Sequence, residues 1–473
     1  MSRAPGVEIQ YAPSQSLSIS IGATMSVPVF VGPFICRNNH SERCMAIDNW
    51  RDFQDKFITD NFTVSIDITS TPPEVPPPEK NKEETKEEKW TYSHALRAVD
   101  NVYAYQIYLY FLNGGGRCYI FPLELEVTST RKKRASQTKS NDDKLAELPK
   151  IISGYSDITL LVWCGDDGDK AVVYQSLFTL LSDDKHPYFL LTDVKKKDET
   201  PVLSDNASVG VWGPHVTVEW HPLNPDDEQI SLTGYMDEKT SEEGTEDPTT
   251  LAALKIRNDL LYNELRTAVD KKVASVATEQ VLSPVALVAG QFAKVERLRG
   301  IWWSPAGMDV VLQGISEVYQ HLSEDEHASL NEQGINALRD FRRPKAGIRI
   351  FGARTRKLDD DWRFISARRL YQMIARDINS ALQKIVFAPN TEQTWNNVRS
   401  AAETYLHDLW QRGGLVGDHQ EKAFFVRVGK GSTMSQTDIN NGVMNVDIGF
   451  RAVRPAEFIV LRFSQIMAMN DVS

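Results

Sequence analysis

Apolar and polar positions alternate strictly over Ser16–Ile21, with Leu17, Ile19 and Ile21 on one face and three serines on the other. A period of two predicts a half-buried strand. Pro5, Gly6 and Pro13 lie upstream, so the chain starts as an extended arm rather than a compact lobe. Val27–Gly32 (VPVFVG) predicts a second strand, with Pro28 at a sheet edge or at the first strand position. From Tyr92 to Leu112 the period becomes helical, through Leu96, Val99, Tyr103, Ile107 and Tyr110, and the glycines at 114–116 stop it. Arg117–Pro122 then predicts a strand. Near-continuous apolar runs at 157–163 and 188–192 predict strands covered on both faces, with a helix over 170–181 between them. Val285–Gly290 is too short for periodicity to choose between helix and strand.

The last 130 residues are the most regular. Gly347–Ala353 predicts a strand. Leu370, Ile374, Ile378, Leu382 and Ile385 share one helical face, and Arg369, Gln372, Arg376, Asn379 and Gln383 form a polar, cationic stripe opposite. A second helix is expected over 391–411, with Trp395, Val398, Ala402, Tyr405 and Leu409 inward and Gly413 and Gly414 as its stop. Three closing strands are expected at 423–428, 444–450 and 458–463. This order of elements defines a mixed α/β chain.

Two stretches carry no core pattern. Residues 71–89 (TPPEVPPPEKNKEETKEEK) and 128–144 (TSTRKKRASQTKSNDDK) are read as solvent-exposed insertions, and 236–250 as an acidic surface loop. The basic run Arg131–Arg134 suits a solvated loop better than a nucleic-acid patch on an otherwise acidic body.

Composition sharpens the picture. The 473 residues carry 53 Lys+Arg against 64 Asp+Glu, a formal charge of −11. Residues 339–473 hold 21 basic and 14 acidic side chains, so the excess reverses in the C-terminal quarter and two surfaces with different neighbours are expected. The length suits about three domains. No apolar run approaches the roughly 18 residues of a membrane helix, so direct membrane insertion is not expected. The start of the chain shows no apolar targeting segment. The four cysteines form no disulfide framework and fit a reducing cytosol.

The search for chemistry finds no constellation. There is no GxSxG elbow, no HExxH helix and no EF-hand loop. Val428–Ser432 (VGKGS) lacks the leading glycine of a phosphate loop, since Phe424 stands there, and is read as a β-turn. His215 and His221 have no nearby cysteine, so a metal site is not expected. Asp166–Asp167 and Asp359–Asp361 suit caps and wet turns. No catalytic, metal or cofactor residues are assigned.

Several ordered blocks carry a resemblance. They are 284–290 (PVALVAG), 297–302 (RLRGIW), 304–306 (SPA), 331–336 (NEQGIN), 347–355 (GIRIFGART) and 362–370 (WRFISARRL). They continue at 386–390 (VFAPN), 423–427 (AFFVR) and 455–458 (PAEF), with 5–7 (PGV), 26–32 (SVPVFVG) and 111–115 (FLNGG) upstream. Together they resemble the contractile tail sheath proteins of phages and phage-tail-like injection particles. Trp303 stands where the family pattern has a lysine, and Gly307 where it often has an asparagine.

The resemblance implies a multidomain chain. The expected units are an arm (1–22), an α/β region (23–149), a central lobe similar to subtilisin without its catalytic residues (150–345) and a tube-facing C-terminal domain (346–473). It implies a helical homo-oligomer around an inner tube, with baseplate and cap proteins and sheath paralogues as further partners. The particle would be made in the cytoplasm and then released. Val7, Ile9, Leu17, Ile19, Ile21, Phe425, Val446, Ile448, Ile459 and Leu461 are the candidates for strand exchange between subunits, since an unpartnered strand adds readily to a neighbour's sheet edge. Arg369 and Arg376 are the first candidates for facing the tube, with Arg399 and Arg412 second. A baseplate-proximal ring subunit, a non-contractile filament and a hydrolase are the competing readings.

Overall fold

Residues 17–455 are described in a computed structural model, apart from 23, 38–42, 60–61, 74–89, 101, 124–140, 183–185, 204, 221–223, 239–246, 277, 342–346 and 360. Up to residue 152 the chain forms β1 (Pro28–Gly32), β2 (Met45–Ile47), α1 (Trp50–Lys56), β3 (Phe62–Thr71), β4 (Thr91–Asp100), α2 (Val102–Leu112), β5 (Cys118–Pro122) and α3 (Asn141–Ile152). Then come β6 (Leu160–Trp163), α4 (Lys170–Phe178), a 3-10 turn (Thr179–Ser182), β7 (Phe189–Asp193), β8 (Val209–Gly213) and β9 (Val216–Glu219). They are followed by β10 (Ser231–Thr233), α5 (Leu251–Arg257), α6 (Asp259–Ala274), β11 (Glu279–Leu282) and α7 (Val285–Arg299). Next are β12 (Glu317–Val318), α8 (Glu324–Glu332), β13 (Ile335–Asp340) and β14 (Ile348–Phe351). The chain closes with α9 (Ile365–Gln383), α10 (Glu392–Gln411), α11 (Gln420–Ala423), β15 (Phe424–Val428), α12 (Gln436–Asn440) and β16 (Val446–Phe450).

An eight-stranded sheet of order β14-β13-β8-β7-β6-β1-β5-β2 organises the large lobe and draws strands from both sides of position 150. Its inner pairs are parallel, and β14 and β2 close the edges antiparallel. The apolar runs of β6 and β7 are wholly buried, as strands covered on both faces should be. One face packs on α2 and α7 and the other on α3 and α4. Helices α2 and α7 approach closely. A Cβ on Gly290 would lie 2.5 Å from the Tyr110 carbonyl oxygen, so only glycine fits there.

Pro28 is the first residue of a central strand, between β5 and β6, and not at an edge. Its missing N–H is tolerated because it opens the strand. The expected helix over 92–112 divides. Thr91–Asp100 is a strand paired with β3, and helix begins only at Val102. Ile66 and Ile68 of β3 face the same small core that Tyr92 and Leu96 pack on, and this pairing overrides the helical period. Val285–Gly290 opens α7. Of the expected insertion at 128–144, Asn141–Lys144 belongs to α3, while 128–140 lie outside the described residues. Nearly all of the 71–89 insertion, the third closing strand at 458–463 and the exchange candidates Val7, Ile9, Ile459 and Leu461 also lie outside them.

The C-terminal domain packs α9 and α10 against the β15–β16 pair. Leu370, Ile374, Ile378, Tyr405, Leu406 and Leu409 are buried in its core.

Candidate assembly site

The root of the N-terminal arm is fastened to two lobes at once. Residues 17–22 keep the expected alternation, Leu17, Ile19 and Ile21 half-buried and the residues between exposed, and Ile19 and Ile21 pack on the core of the C-terminal domain. Among the described residues the segment has no ladder partner. The Gly22 N–H donates to Asp377 of α9 at 3.0 Å. A Cβ on Gly22 would sit 2.5 Å from that carboxylate and 2.6 Å from the Arg376 guanidinium, so the close approach needs glycine. The Met25 N–H donates to Glu296 of α7 at 2.6 Å, and Ser26 Oγ donates to the same carboxylate at 2.5 Å. Arg369 of α9 donates to the Met25 carbonyl oxygen and, at 3.3 Å, to Ser26 Oγ.

Arg369 therefore does not line a wet stripe. It is 3% exposed, its ring partner is Phe292 at 5.0 Å, and Glu296 lies 3.8 Å away. Burial, opposed by the Glu296 charge, pulls its pKa down to about 10. The expectation that Arg369 faces a tube is corrected: its side chain turns inward because the chain itself, at Met25 and Ser26, supplies its acceptors. Gln372 is buried likewise, donating to the Tyr188 carbonyl oxygen at 2.8 Å. Arg376 is half-buried beside Asp377 at 2.8 Å and under Gly22. Arg412 is exposed and paired with Asp408 at 3.0 Å. Arg399 is half-buried and donates to the Val428 carbonyl oxygen at 2.5 Å.

The second part of the site is the β15–β16 pair. Phe424, Val426 and Val428 are buried and Phe425 and Arg427 exposed, so only one face of the pair is dry. The turn at 428–432 closes with the Ser432 N–H on the Gly429 carbonyl oxygen at 3.2 Å, the β-turn expected. Residues of α9 and β16 take part in lining two separate cavities. A cavity of about 600 Å³ is lined by Leu382, Val386, Phe387, Asn390, Met444 and Val446. Another of about 780 Å³ is lined by Trp362, Tyr371, Ile448, Phe450, Arg451 and Arg454. The sequence reading did not anticipate Asp377, Glu296 or Phe387. The only signal was an isolated acid among the cations of α9.

One buried polar cluster lies elsewhere, beyond β7 and β8. His215 bonds Asp193, which also accepts from the Tyr174 hydroxyl at 2.6 Å. Ligand-type atoms of Asp167, Asp193 and His215 lie within 4.8 Å of one another, closer than the histidine spacing implied. Lys195 already holds Asp167 at 2.8 Å, and Lys170 lies 3.5 Å from Asp167 and 3.9 Å from Asp193. Burial alone would raise the Asp193 pKa. The hydrogen bond and charge of His215, with Lys170 and the Tyr174 hydroxyl, outweigh it and hold the carboxyl well below the usual range. His215 Nδ1 is buried without a hydrogen-bond partner among the described residues, so no nucleophile is joined to this pair.

This architecture, with its mixed α/β lobe, domain-spanning arm root and open strand pair, is that of an assembling structural protein. Residues 357–466 match the model of the phage tail sheath C-terminal domain. Along 98% of its length the chain is similar to the helical sheath of the anti-feeding prophage in its contracted state, at 32% identity and TM-score 0.68, covering 100% of that chain. It is equally similar to a chain of the anti-feeding prophage baseplate, at 33% identity and TM-score 0.65 over 99% of this chain and 100% of that one. The sheath of an extracellular contractile injection system, PVC, in its contracted state is 25% identical, with TM-score 0.64 over 98% of each chain. No curated protein matches. The chain belongs to the contractile tail sheath family.

Proposed function

We propose that this chain is the repeating subunit of a contractile sheath, polymerising helically around an inner tube and contracting to drive it through a target envelope. The observation that carries this reading is the likeness, over nearly the whole chain, to a helical sheath solved in its contracted state. The mechanism is mechanical. Arms exchanged between subunits tether them while their bodies slide and rotate from an extended lattice to a better-packed contracted one. The free side of the β15–β16 pair offers the sheet edge, and the root clamp keeps the arm attached to its own body as the bodies move. A head-to-tail contact of this kind propagates as an open helix when its rotation does not close a ring. Arg399 and Arg412, on the basic C-terminal quarter, remain the proposed tube contacts, with Arg376 secondary because Asp377 already engages it. Exposed charge pairs contribute only ~0–1 kcal/mol each, which suits a contact that must break on firing. The particle's cap and baseplate would be further partners. The family's role is structural, and the Asp193–His215 pair, saturated by lysines and without a nucleophile, adds no support for a hydrolase.

A ring subunit next to the baseplate is the second reading, favoured by the equal likeness to a baseplate chain. Electron microscopy of the protein co-expressed with its tube, baseplate and cap neighbours separates the two. Long hollow tubes support the sheath, and isolated rings support the baseplate-proximal subunit. Deleting residues 1–16 leaves the root clamp in place and should give a folded monomer that forms neither; assembly of that truncation would overturn arm exchange.

A further inference from the structure

Arg349 of β14 is 8% exposed, and its guanidinium Nε and Nη1 are buried with no hydrogen-bond partner among the described residues. A buried charge without a partner is costly, and a native chain keeps one only where a counter-charge reaches it. The strand register deepens the need. Arg349 stands directly opposite Arg339 in the antiparallel β13–β14 pair, so the two like charges share one face and repel. The acids in place are too few. Glu324 holds Arg339 at 2.7 Å but is itself exposed, so that pair contributes little. Asp309, whose charge Arg349 feels, is taken by Arg299 at 2.8 Å. One further carboxylate, with an oxygen for each guanidinium, would complete the site.

Arg339 and Phe351 line a cavity of about 390 Å³ together with His327 and Asn331 of α8, Ser304 and Pro455. The Ser304 hydroxyl oxygen is a second buried polar atom without a hydrogen-bond partner among the described residues. Pro455 points to the occupant. Here the chain, having left β16 and paired Arg454 with Asp361 at 3.8 Å, comes back against the large lobe. Residues 456–473 follow and hold two acids, Glu457 and Asp471. In an extended chain residues two apart share a face, so Pro455 against the cavity directs Glu457 to the same side, up to ~7 Å further on. Asp471 lies fourteen positions beyond Glu457 and is under no such constraint.

We propose that the cavity between α8 and the β13–β14 pair receives Glu457 of the same chain, its carboxylate accepting from Arg349 and Arg339, and so fixes the root of the C-terminal tail to the large lobe. The contact is intramolecular and stands apart from the sheath reading. It gives the tail a clamp on the eight-stranded sheet, as Asp377 and Glu296 give the arm one on α9 and α7.

Two measurements on the full-length protein test this. The first is disulfide trapping. Of the native cysteines, Cys44, Cys118 and Cys164 are buried and Cys36 is half-buried, so the background is low. Arg349→Cys with Glu457→Cys should form a bond within one chain, found by mass spectrometry as a linked peptide pair, and Arg349→Cys with Asp471→Cys none. Mixing isotope-labelled and unlabelled chains shows whether both cysteines belong to one molecule. The second is a double-mutant cycle read by thermal unfolding. Glu457→Gln should lower the midpoint by ~2 °C or more in the wild-type background. In Arg349→Met, where Arg339 alone remains to bind it, the shift should be at least halved. A link between labelled and unlabelled chains would assign the site to a second copy's acid and overturn the proposal. A link from Asp471, no link at all, or a Glu457→Gln shift that is absent or undiminished in Arg349→Met would overturn it equally.

Discussion

Gly22 and Asp377 stand 355 positions apart and are joined by one hydrogen bond of 3.0 Å. The same carboxylate accepts from the Tyr405 hydroxyl at 2.9 Å and pairs with Arg376, so arm, α9 and α10 meet at a single buried acid. Asp377→Ala removes all three contacts and leaves Tyr405 and the Gly22 N–H without acceptors. We expect a loss of about 2–4 kcal/mol in urea unfolding. Limited proteolysis should cut the arm within residues 17–22 faster than in the wild-type protein.

Glu296→Gln separates the arm clamp from general stability. It keeps the shape and one acceptor but removes the charge facing Arg369. The outcome expected is a destabilisation of about 1–3 kcal/mol, with Met25 and Ser26 amides losing hydrogen-exchange protection.

Asp193 predicts acid behaviour. Its folded-state pKa is depressed, so its contribution to stability is present above the unfolded value near 4 and is lost as pH falls through the folded value. Asp193→Asn should cost about 3–5 kcal/mol at pH 7 by leaving buried His215 without its charged partner, while Lys170 keeps Glu199 at 2.9 Å. The loss should shrink below pH ~4, and denaturant melts across pH 3 to 7 would record it.

Gly290→Ala drives a methyl group into the Tyr110 backbone, which cannot yield as a side chain could. The expected cost is about 2–4 kcal/mol through separation of α2 from α7, read as a lowered thermal midpoint.

Arg412→Glu changes an exposed side chain whose partner Asp408 is itself exposed. Folding should be unaffected and co-sedimentation with tubes reduced. Undiminished binding by Arg399→Glu/Arg412→Glu would remove both from the tube contact.

Much of the fold was legible where one periodicity ruled. The dry strands β6 and β7 and the paired helices α9 and α10 follow directly from apolar spacing. Tyr92–Leu112 misled because the alternation of Tyr92, His94 and Leu96 runs into a true helix, and apolar residues three or four apart span the join. Pairing with β3, thirty residues upstream, decides between the two and leaves no local mark. The site was less legible. The arm's alternation was plain, but Arg369 reads as a surface cation on any helical wheel. Only the tertiary path of Met25 and Ser26 across α9 turns it into a buried donor. Phe387 is ordinary in composition, and no pattern of side chains marks its full exposure or its left-handed backbone at φ +74°.

The small sheet of β10, β3 and β4, backed by α5 and α6, is assembled from two excursions that leave the large lobe more than a hundred residues apart. Its central strand β3 pairs with β4 on one side and, parallel, with β10 on the other, and its helices come only with the second excursion. Neither piece carries a complete core. During synthesis the first hairpin must wait, half-dry, until the ribosome delivers the second. A chimera that transplants one excursion alone would therefore inherit an unfinished domain.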